Sequence, residues 1–133
     1  MNSEEMYQEI ILDSWRNPKN FGKIKNPDIS FKDSNPSCGD IIQIDIKLNK
    51  NKIEEIKFNG SGCIISQAMA SMLTDYVKNK NLNDIKKINK EEILKMLGIN
   101  LSGMRIKCAL LSLKVLKYGV YNYLGNNMEE DYG

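Results

Sequence analysis

Alternation in the middle of the chain gives the clearest structural signal. In IIQIDIKLN at 41–49, isoleucine or leucine occupies every second position and polar residues fill the others. This period of two predicts a half-buried β-strand. NKNK then predicts a turn, and KIEEIKFNG at 52–60 predicts the antiparallel partner strand. DISFKD at 28–33 predicts a further short strand.

The flanking segments have helical spacing of their apolar residues. A first helix is predicted from Asn2 or Ser3 to the breaker segment RNPKNFG at 16–22, and a second from about 64 to 78. Residues 81–97 predict one or two short helices, and INLSGMRIK predicts a loop before a last helix at 107–118 or beyond. The apolar stripe predicted for the second helix consists of Ile65, Met69, Met72 and Tyr76.

This order of elements, with strands early and helices late, predicts the fold class. We expect an α+β protein in which helices pack on one face of a small antiparallel sheet of about three strands. The 133 residues contain no repeat or linker, so they predict a single domain, 1–133. The polar tail at 126–133 is predicted to fray.

The composition of the chain limits the classes of partner and the cellular location that we expect. The formal charge of +2 is too small to indicate a nucleic-acid-binding protein, and the lysines are spread thinly along the chain. The first ten residues lack the pattern of a secretory signal, and no apolar run reaches the ~18 residues of a membrane span. The chain has three cysteines and no CxxC pair, which argues against a disulfide framework. We therefore expect a cytoplasmic protein with free thiols.

The segment NPSCGD at 35–40 suggests a ligand pair. Asn-Pro begins a turn, Gly39 relaxes the backbone, and a strand follows directly. Residues i and i+2 of an extended segment point to the same side. The Cys38 sulfur and the Asp40 carboxyl group should therefore face one point in space.

The other two cysteines also stand at predicted element boundaries. Cys63 follows two glycines and precedes a helix, and Cys108 lies in the predicted first turn of the last helix. A helix N-terminus lowers the pKa of a thiol, and Arg105 and Lys107 should lower the pKa of Cys108 further. Three thiolates and one carboxylate suit tetrahedral zinc or a pair of cluster irons. Packing of the cysteines as small apolar side chains is the open alternative.

Three linked motifs carry a resemblance to a known family. NPSCGD, GSGCIISQAMAS and RIKCALL contain the cysteines, and DSWRNPKNFG at 13–22 precedes them. In this order they resemble the U-type iron–sulfur cluster biogenesis family (IscU, SufU and the N-terminal part of NifU). The resemblance implies a fold of the NifU-N/SufE type, sulfur supplied by a pyridoxal-phosphate cysteine desulfurase, and delivery to apo iron–sulfur proteins or a downstream scaffold. It also implies a ligand set consisting of Cys38, Asp40, Cys63 and Cys108.

The branch within the family is ambiguous. GCIIS and RIKC look like SufU, and Lys107 stands where IscU has a histidine. The chain contains no histidine, and NLSGMRIK replaces the LPPVK segment that IscU shows to its chaperone. The stretch between Cys63 and Cys108, however, lacks the insertion typical of SufU. The residues are similar to SufU and the length is similar to IscU.

Two functions follow from the resemblance. The first is a zinc-dependent sulfur acceptor in which a partner side chain takes one zinc position and frees Cys38 to attack a persulfide, with Asp40 as the more exchangeable ligand. Arg105 and Lys107 would offset the negative charge of the site. This is a sulfurtransferase-type role and not that of a stand-alone enzyme.

The second function is a scaffold for a [2Fe–2S] cluster or iron on the same four residues, with Cys108 as the sulfur acceptor. A carboxylate ligand suits a cluster that is meant to leave. A structural zinc domain without sulfur traffic is a third alternative, which predicts a fold that collapses without metal.

Overall fold

The computed structural model describes residues 3–125. The elements in chain order are α1 (Ser3–Arg16), β1 (Ile29–Asn35), β2 (Asp40–Asn49), β3 (Lys52–Ser61), α2 (Ile64–Val77), α3 (Leu82–Lys86), α4 (Lys90–Leu97) and α5 (Met104–Leu124). The predicted frayed tail, 126–133, lies outside the described residues. No helix within the described range is long and apolar enough to cross a membrane.

The three strands form one antiparallel sheet in the order β1–β2–β3. The first strand is longer than predicted and extends to Asn35, which pairs with Asp40 across the turn. At the same end of the sheet, Ile41 pairs with Ser61 at the end of β3. The β1–β2 turn and the β3–α2 junction are therefore neighbours, although they are far apart in the sequence.

Helices cover one face of this sheet, which confirms the predicted α+β class. Helix α5 packs on β1 and β2, α2 packs on β3 and on α5, and α1 packs on α2. The alternating residues Ile42, Ile44 and Ile46 of β2 are fully buried, as their period predicts. Because α2 is enclosed by neighbours, its burial extends around most of the helix. The predicted stripe is wrong at Tyr76, which is 42% exposed.

The last helix begins at Met104, three residues before the predicted start. Gly103, with a φ of 45°, makes the turn into the helix, and Met104, Arg105 and Ile106 continue it as ordinary helix formers. Cys108 is therefore the fifth residue of α5 and lies beyond its first turn. It faces the core and is only 1% exposed.

Asp45 departs from the simple alternation of β2. Its position predicts an outward-facing polar residue, but it is 2% exposed. The chain between α1 and β1 crosses this face of the sheet, and the Ile24 N–H donates to Asp45 Oδ2 over 3.1 Å. Asp45 Oδ1 accepts from Ser30 Oγ at 2.7 Å and from Gln43 Nε2 at 3.0 Å. A buried carboxyl group can thus occupy a polar position of the strand because it has hydrogen-bond donors.

Candidate metal centre

The turn between β1 and β2 holds Cys38 at the end of the sheet. The carbonyl oxygen of Asn35 accepts hydrogen bonds from the N–H groups of Cys38 at 3.1 Å and Gly39 at 2.9 Å. Gly39 has a φ of 72°, which favours glycine. The Asn35 side chain donates from Nδ2 to the Cys38 sulfur over 3.5 Å. Cys38 lies two residues before the start of β2, close to the predicted position just before a strand, and is half-buried.

Asp40 and Cys63 are joined across the neighbouring junction. The backbone N–H of Cys63 donates to Asp40 Oδ1 over 2.8 Å, and Cys63 Sγ lies 3.8 Å from Asp40 Oδ2. Cys63 is the N-cap residue of α2, and its sulfur accepts from the Ser66 N–H at 3.5 Å. The predicted setting of Cys63 before a helix is confirmed.

Gly62 permits the close approach of these two residues. Its φ is 137°, and a Cβ atom built there would lie 2.8 Å from Asp40 Cα and would also overlap the Asp40 carboxyl group. Only a residue without a side chain fits this position. The second glycine of GSGC therefore does more than make a turn, because it lets the junction between β3 and α2 lie against Asp40.

Cys108 completes the cluster from the opposite side. Its Sγ donates to Cys38 Sγ over 2.6 Å. Burial raises the pKa of the Cys108 thiol, and its contacts with Cys38 and Asp40 and the charge of Cys63 raise it further. The sequence predicted a lowered pKa, which is wrong for the chain without metal. The free N–H groups that would favour a thiolate belong to the first turn of α5, and Cys108 lies beyond that turn.

The two basic residues named as supporting groups lie outside the cluster. Arg105 and Lys107 are both exposed at the start of α5. Within residues 3–125, neither forms an ion pair with Asp40. Because both side chains are exposed, solvent screens their charges from the site, and the pKa of Cys108 stays raised.

The geometry brings the four predicted residues to one end of the molecule. One ligand atom each from Cys38, Asp40 and Cys108 lies within 4.8 Å of the other two. Cys63 is outside that group and adjoins it through Asp40. Three sulfurs and a carboxyl group form a donor set that zinc accepts, with neighbouring ligand atoms roughly 3.5–4 Å apart around a tetrahedral ion. The residues present therefore fit a metal ion, provided that the Cys38 and Cys108 sulfurs move apart.

One residue near the site was not singled out from the sequence. Asn35 is nearly buried, and its side chain both accepts from the Ser37 N–H at 3.3 Å and donates to the Cys38 sulfur. The Asn-Pro dipeptide signalled a turn but not this second contact. Asparagine can make both contacts because its side chain has an acceptor oxygen and a donor nitrogen.

Comparisons with known proteins agree with this arrangement. Residues 6–130 match the family model described as the NifU-like N-terminal domain. The zinc-dependent sulfurtransferase SufU of Bacillus subtilis (strain 168) is 34% identical over 143 aligned positions, which cover 95% of this chain and 97% of the relative. The alignment is longer than the 133 residues of this chain, so that relative has residues that this chain lacks.

A scaffold-type relative is equally similar. The iron–sulfur cluster assembly scaffold protein IscU 1 of Archaeoglobus fulgidus is 34% identical over 126 positions, covering 95% of this chain and 82% of the relative. A crystal structure of a protein described as an iron–sulfur cluster assembly scaffold for the SUF system, from Fervidobacterium islandicum AW-1, superposes with a TM-score of 0.77 and 27% identity. That match covers 90% of this chain and 99% of the other. The chain therefore belongs to the NifU-like N-terminal domain family of iron–sulfur cluster assembly proteins.

Proposed function

We propose that this chain accepts sulfur from a pyridoxal-phosphate cysteine desulfurase, with Cys38 as the acceptor within a zinc site of Cys38, Asp40, Cys63 and Cys108. The observation that carries the proposal is the convergence of Cys38, Asp40 and Cys108 within 4.8 Å, with Cys63 beside Asp40. A cysteine that only fills space in the core does not need another cysteine or a carboxyl group beside it. Three elements that converge on one point with sulfur and carboxyl groups favour a shared ligand site over three separate packing roles.

Cys38 is the best acceptor of the three cysteines. It is half-buried on a turn, whereas Cys108 is 1% exposed in the core. Its sulfur accepts hydrogen bonds from Asn35 Nδ2 and from Cys108 Sγ. Cys63 is also half-buried, but it caps α2, and its backbone N–H donates to Asp40. A persulfide carried on a partner chain therefore reaches Cys38 most directly.

The chemistry at Cys38 is a thiol exchange. The Cys38 thiolate attacks the outer sulfur of the donor persulfide, a new S–S bond forms at Cys38, and the donor cysteine leaves as a thiolate. Asp40 keeps its hydrogen bond to the Cys63 N–H during this step, so the end of the sheet stays in place. Zinc, when bound, supplies charge that holds the sulfurs deprotonated without oxidising them. Arg105 and Lys107 are exposed at the start of α5, and in this proposal their positive charges offset part of the negative charge of the site through solvent.

The second candidate function is assembly of a [2Fe–2S] cluster on the same four residues, with Cys108 as acceptor. Its specific support is the archaeal scaffold relative, whose 126-position alignment covers nearly the whole chain. In either role the expected partners are the desulfurase and apo iron–sulfur proteins or a downstream scaffold. A cytoplasmic location remains a prediction in both cases.

A persulfide map distinguishes these functions. The zinc-loaded chain is mixed anaerobically with a cysteine desulfurase and cysteine, persulfides are trapped by alkylation, and the added sulfur is located by peptide mass spectrometry. We expect sulfur on Cys38, absent in Cys38→Ser and retained in Ser37→Ala, which changes an exposed neighbour in the same turn. Sulfur on Cys108 that depends on iron in place of zinc would support the scaffold. A chain with no persulfide on any cysteine would contradict both.

A further inference from the structure

The sulfurs of Cys38 and Cys108 form the closest pair in the site. They belong to positions 70 residues apart, one on the β1–β2 turn and one on α5, yet Sγ meets Sγ at 2.6 Å. The two sides of this pair differ. Cys38 is half-buried and open toward solvent, whereas Cys108 is 1% exposed among core residues. Any group added to Cys38 therefore has room on the solvent side and none on the Cys108 side.

This asymmetry determines which sulfur of a Cys38 persulfide lies within reach of Cys108. The inner sulfur is Cys38 Sγ itself, which is already in contact with Cys108. The outer sulfur stands about 2 Å farther along the new S–S bond. The core blocks the side of Cys108, so the outer sulfur is directed to the open side. Cys108 consequently faces the inner sulfur, with the outer sulfur as the leaving group.

We propose that Cys108 is a resolving thiol which, in the metal-free chain, releases the sulfur delivered to Cys38 as sulfide. The proposal rests on the proposed function, because it requires a persulfide on Cys38. The Cys108 proton passes to the neighbouring Asp40 carboxyl group, Cys108 Sγ forms a bond to Cys38 Sγ, and the bond between Cys38 Sγ and the outer sulfur breaks, so that the outer sulfur leaves as hydrosulfide. The outer sulfur gains two electrons, and the two cysteines lose two as they become a disulfide.

One turnover therefore needs no outside oxidant or reductant. The sulfurs have only to close from 2.6 Å to a bond length of about 2.05 Å, a shift of roughly half an ångström. A cellular thiol regenerates the pair by ordinary disulfide exchange and is itself oxidised. The release of inorganic sulfide is a second activity, distinct from passing a persulfide to another protein.

Cys63 is placed less favourably for the same reaction. Its sulfur lies beside Asp40 and accepts the Ser66 N–H, and it is outside the 4.8 Å group that contains Cys38 and Cys108. A disulfide between Cys38 and Cys63 would require one of them to leave its present contacts. The geometry therefore predicts one specific disulfide, Cys38–Cys108, with Cys63 remaining a free thiol.

The test is a single turnover on the full chain, freed of metal, reduced and kept anaerobic. A cysteine desulfurase is loaded with persulfide, separated from free cysteine and mixed with the chain in equal amount. Sulfide is measured, and alkylation with peptide mass spectrometry locates persulfides and disulfides. We expect sulfide and a Cys38–Cys108 disulfide in equal yield. In Cys108→Ser, we expect sulfide to fall at least tenfold, as an order of magnitude, while persulfide accumulates on Cys38.

A matched control is Ser112→Ala, another buried small residue one turn further along α5, which should keep the yields of the unmodified chain. A persistent Cys38 persulfide in the unmodified chain, with neither sulfide nor disulfide, would overturn the resolving role and leave the acceptor role intact. Persulfide found on Cys108, or a disulfide to Cys63, would also overturn it. Absence of persulfide on Cys38 even in Cys108→Ser would remove the acceptor role and this inference together.

Discussion

The Asp40 carboxyl group and the Cys63 backbone are joined by a 2.8 Å hydrogen bond. This contact ties the first residue of β2 to the N-cap of α2. The contact joins two elements of the fold, so the fold itself brings these two candidate ligands together. A metal ion would then bind to a largely formed site.

Replacement of Asp40 tests whether this contact stabilises the fold. In Asp40→Ala the Cys63 N–H loses its acceptor in a part-buried setting. We expect the free energy of unfolding of the metal-free protein to fall by about 1–3 kcal/mol, measured by urea denaturation. Asp75→Ala is the control, because Asp75 is exposed and its carboxylate forms a 3.5 Å ion pair with Lys19, so its loss should cost at most about 1 kcal/mol. Equal losses in the two variants would contradict the role given to Asp40.

Gly62→Ala tests the close approach at the β3–α2 junction. The added Cβ would overlap Asp40, so the carboxyl group must move away from the site. We expect zinc affinity, measured by competition with a chromophoric chelator, to fall by at least about 10-fold. Gly125→Ala is matched to it, since Gly125 also has a positive φ, 75°, but open space where the Cβ would lie. If Gly62→Ala bound zinc as tightly as Gly125→Ala, the close approach of Gly62 to Asp40 would not be needed for the metal site.

The raised pKa of Cys108 predicts how stability depends on pH in the metal-free chain. In the unfolded chain this thiol ionises near its ordinary pKa of about 8.5, whereas in the folded chain it ionises only at higher pH. Above about pH 8.5 the unfolded state therefore holds fewer protons, and the free energy of unfolding falls as pH rises, by at most about 1.4 kcal/mol per pH unit. Below that pH this group contributes no slope.

Urea denaturation at a series of pH values from about 7 to 10 checks this prediction. Cys108→Ala is the reference, because tyrosines and lysines titrate in the same range and remain in the variant. The difference between the two proteins should shrink as pH rises. A difference that is constant over the range would contradict the effect of burial on this thiol.

Asp45 provides a prediction away from the site. Asp45→Ala leaves the Ile24 N–H, the Ser30 hydroxyl and the Gln43 amide without their shared acceptor. We expect the free energy of unfolding to fall by about 2–3 kcal/mol. Zinc affinity per folded molecule should not change, since Asp45 lies in mid-strand and outside the metal-ligand group. Loss of affinity in a variant that is still folded would show that the two regions are coupled.

The sequence predicted much of the sheet and of the candidate site. Ile42, Ile44 and Ile46 follow a strict period of two and are fully buried, because one face of β2 meets the helices. Cys38 and Asp40 are both in the cluster, as spacing across a turn into a strand predicts. Local periodicity and turn chemistry were sufficient for these positions.

Tertiary contacts decided the rest. Periodicity did not indicate that α1 would cover α2, and Tyr76 is consequently exposed while small polar residues of α2 are buried. The burial of Asp45 depends on a loop that crosses the sheet. The 2.6 Å contact of Cys108 with Cys38 depends on the packing of α5 against the β1–β2 turn, and no local pattern encodes it.

X-ray absorption at the zinc edge of the zinc-loaded chain tests the central claim most directly. The account predicts three sulfur neighbours at about 2.3 Å and one oxygen neighbour at about 2.0–2.2 Å, with the oxygen from Asp40 lost or exchanged for solvent in Asp40→Ala. Two or fewer sulfur neighbours would contradict a site built from Cys38, Asp40, Cys63 and Cys108. A spectrum of zinc-loaded Cys38→Ser identical to that of the unmodified chain would also contradict it.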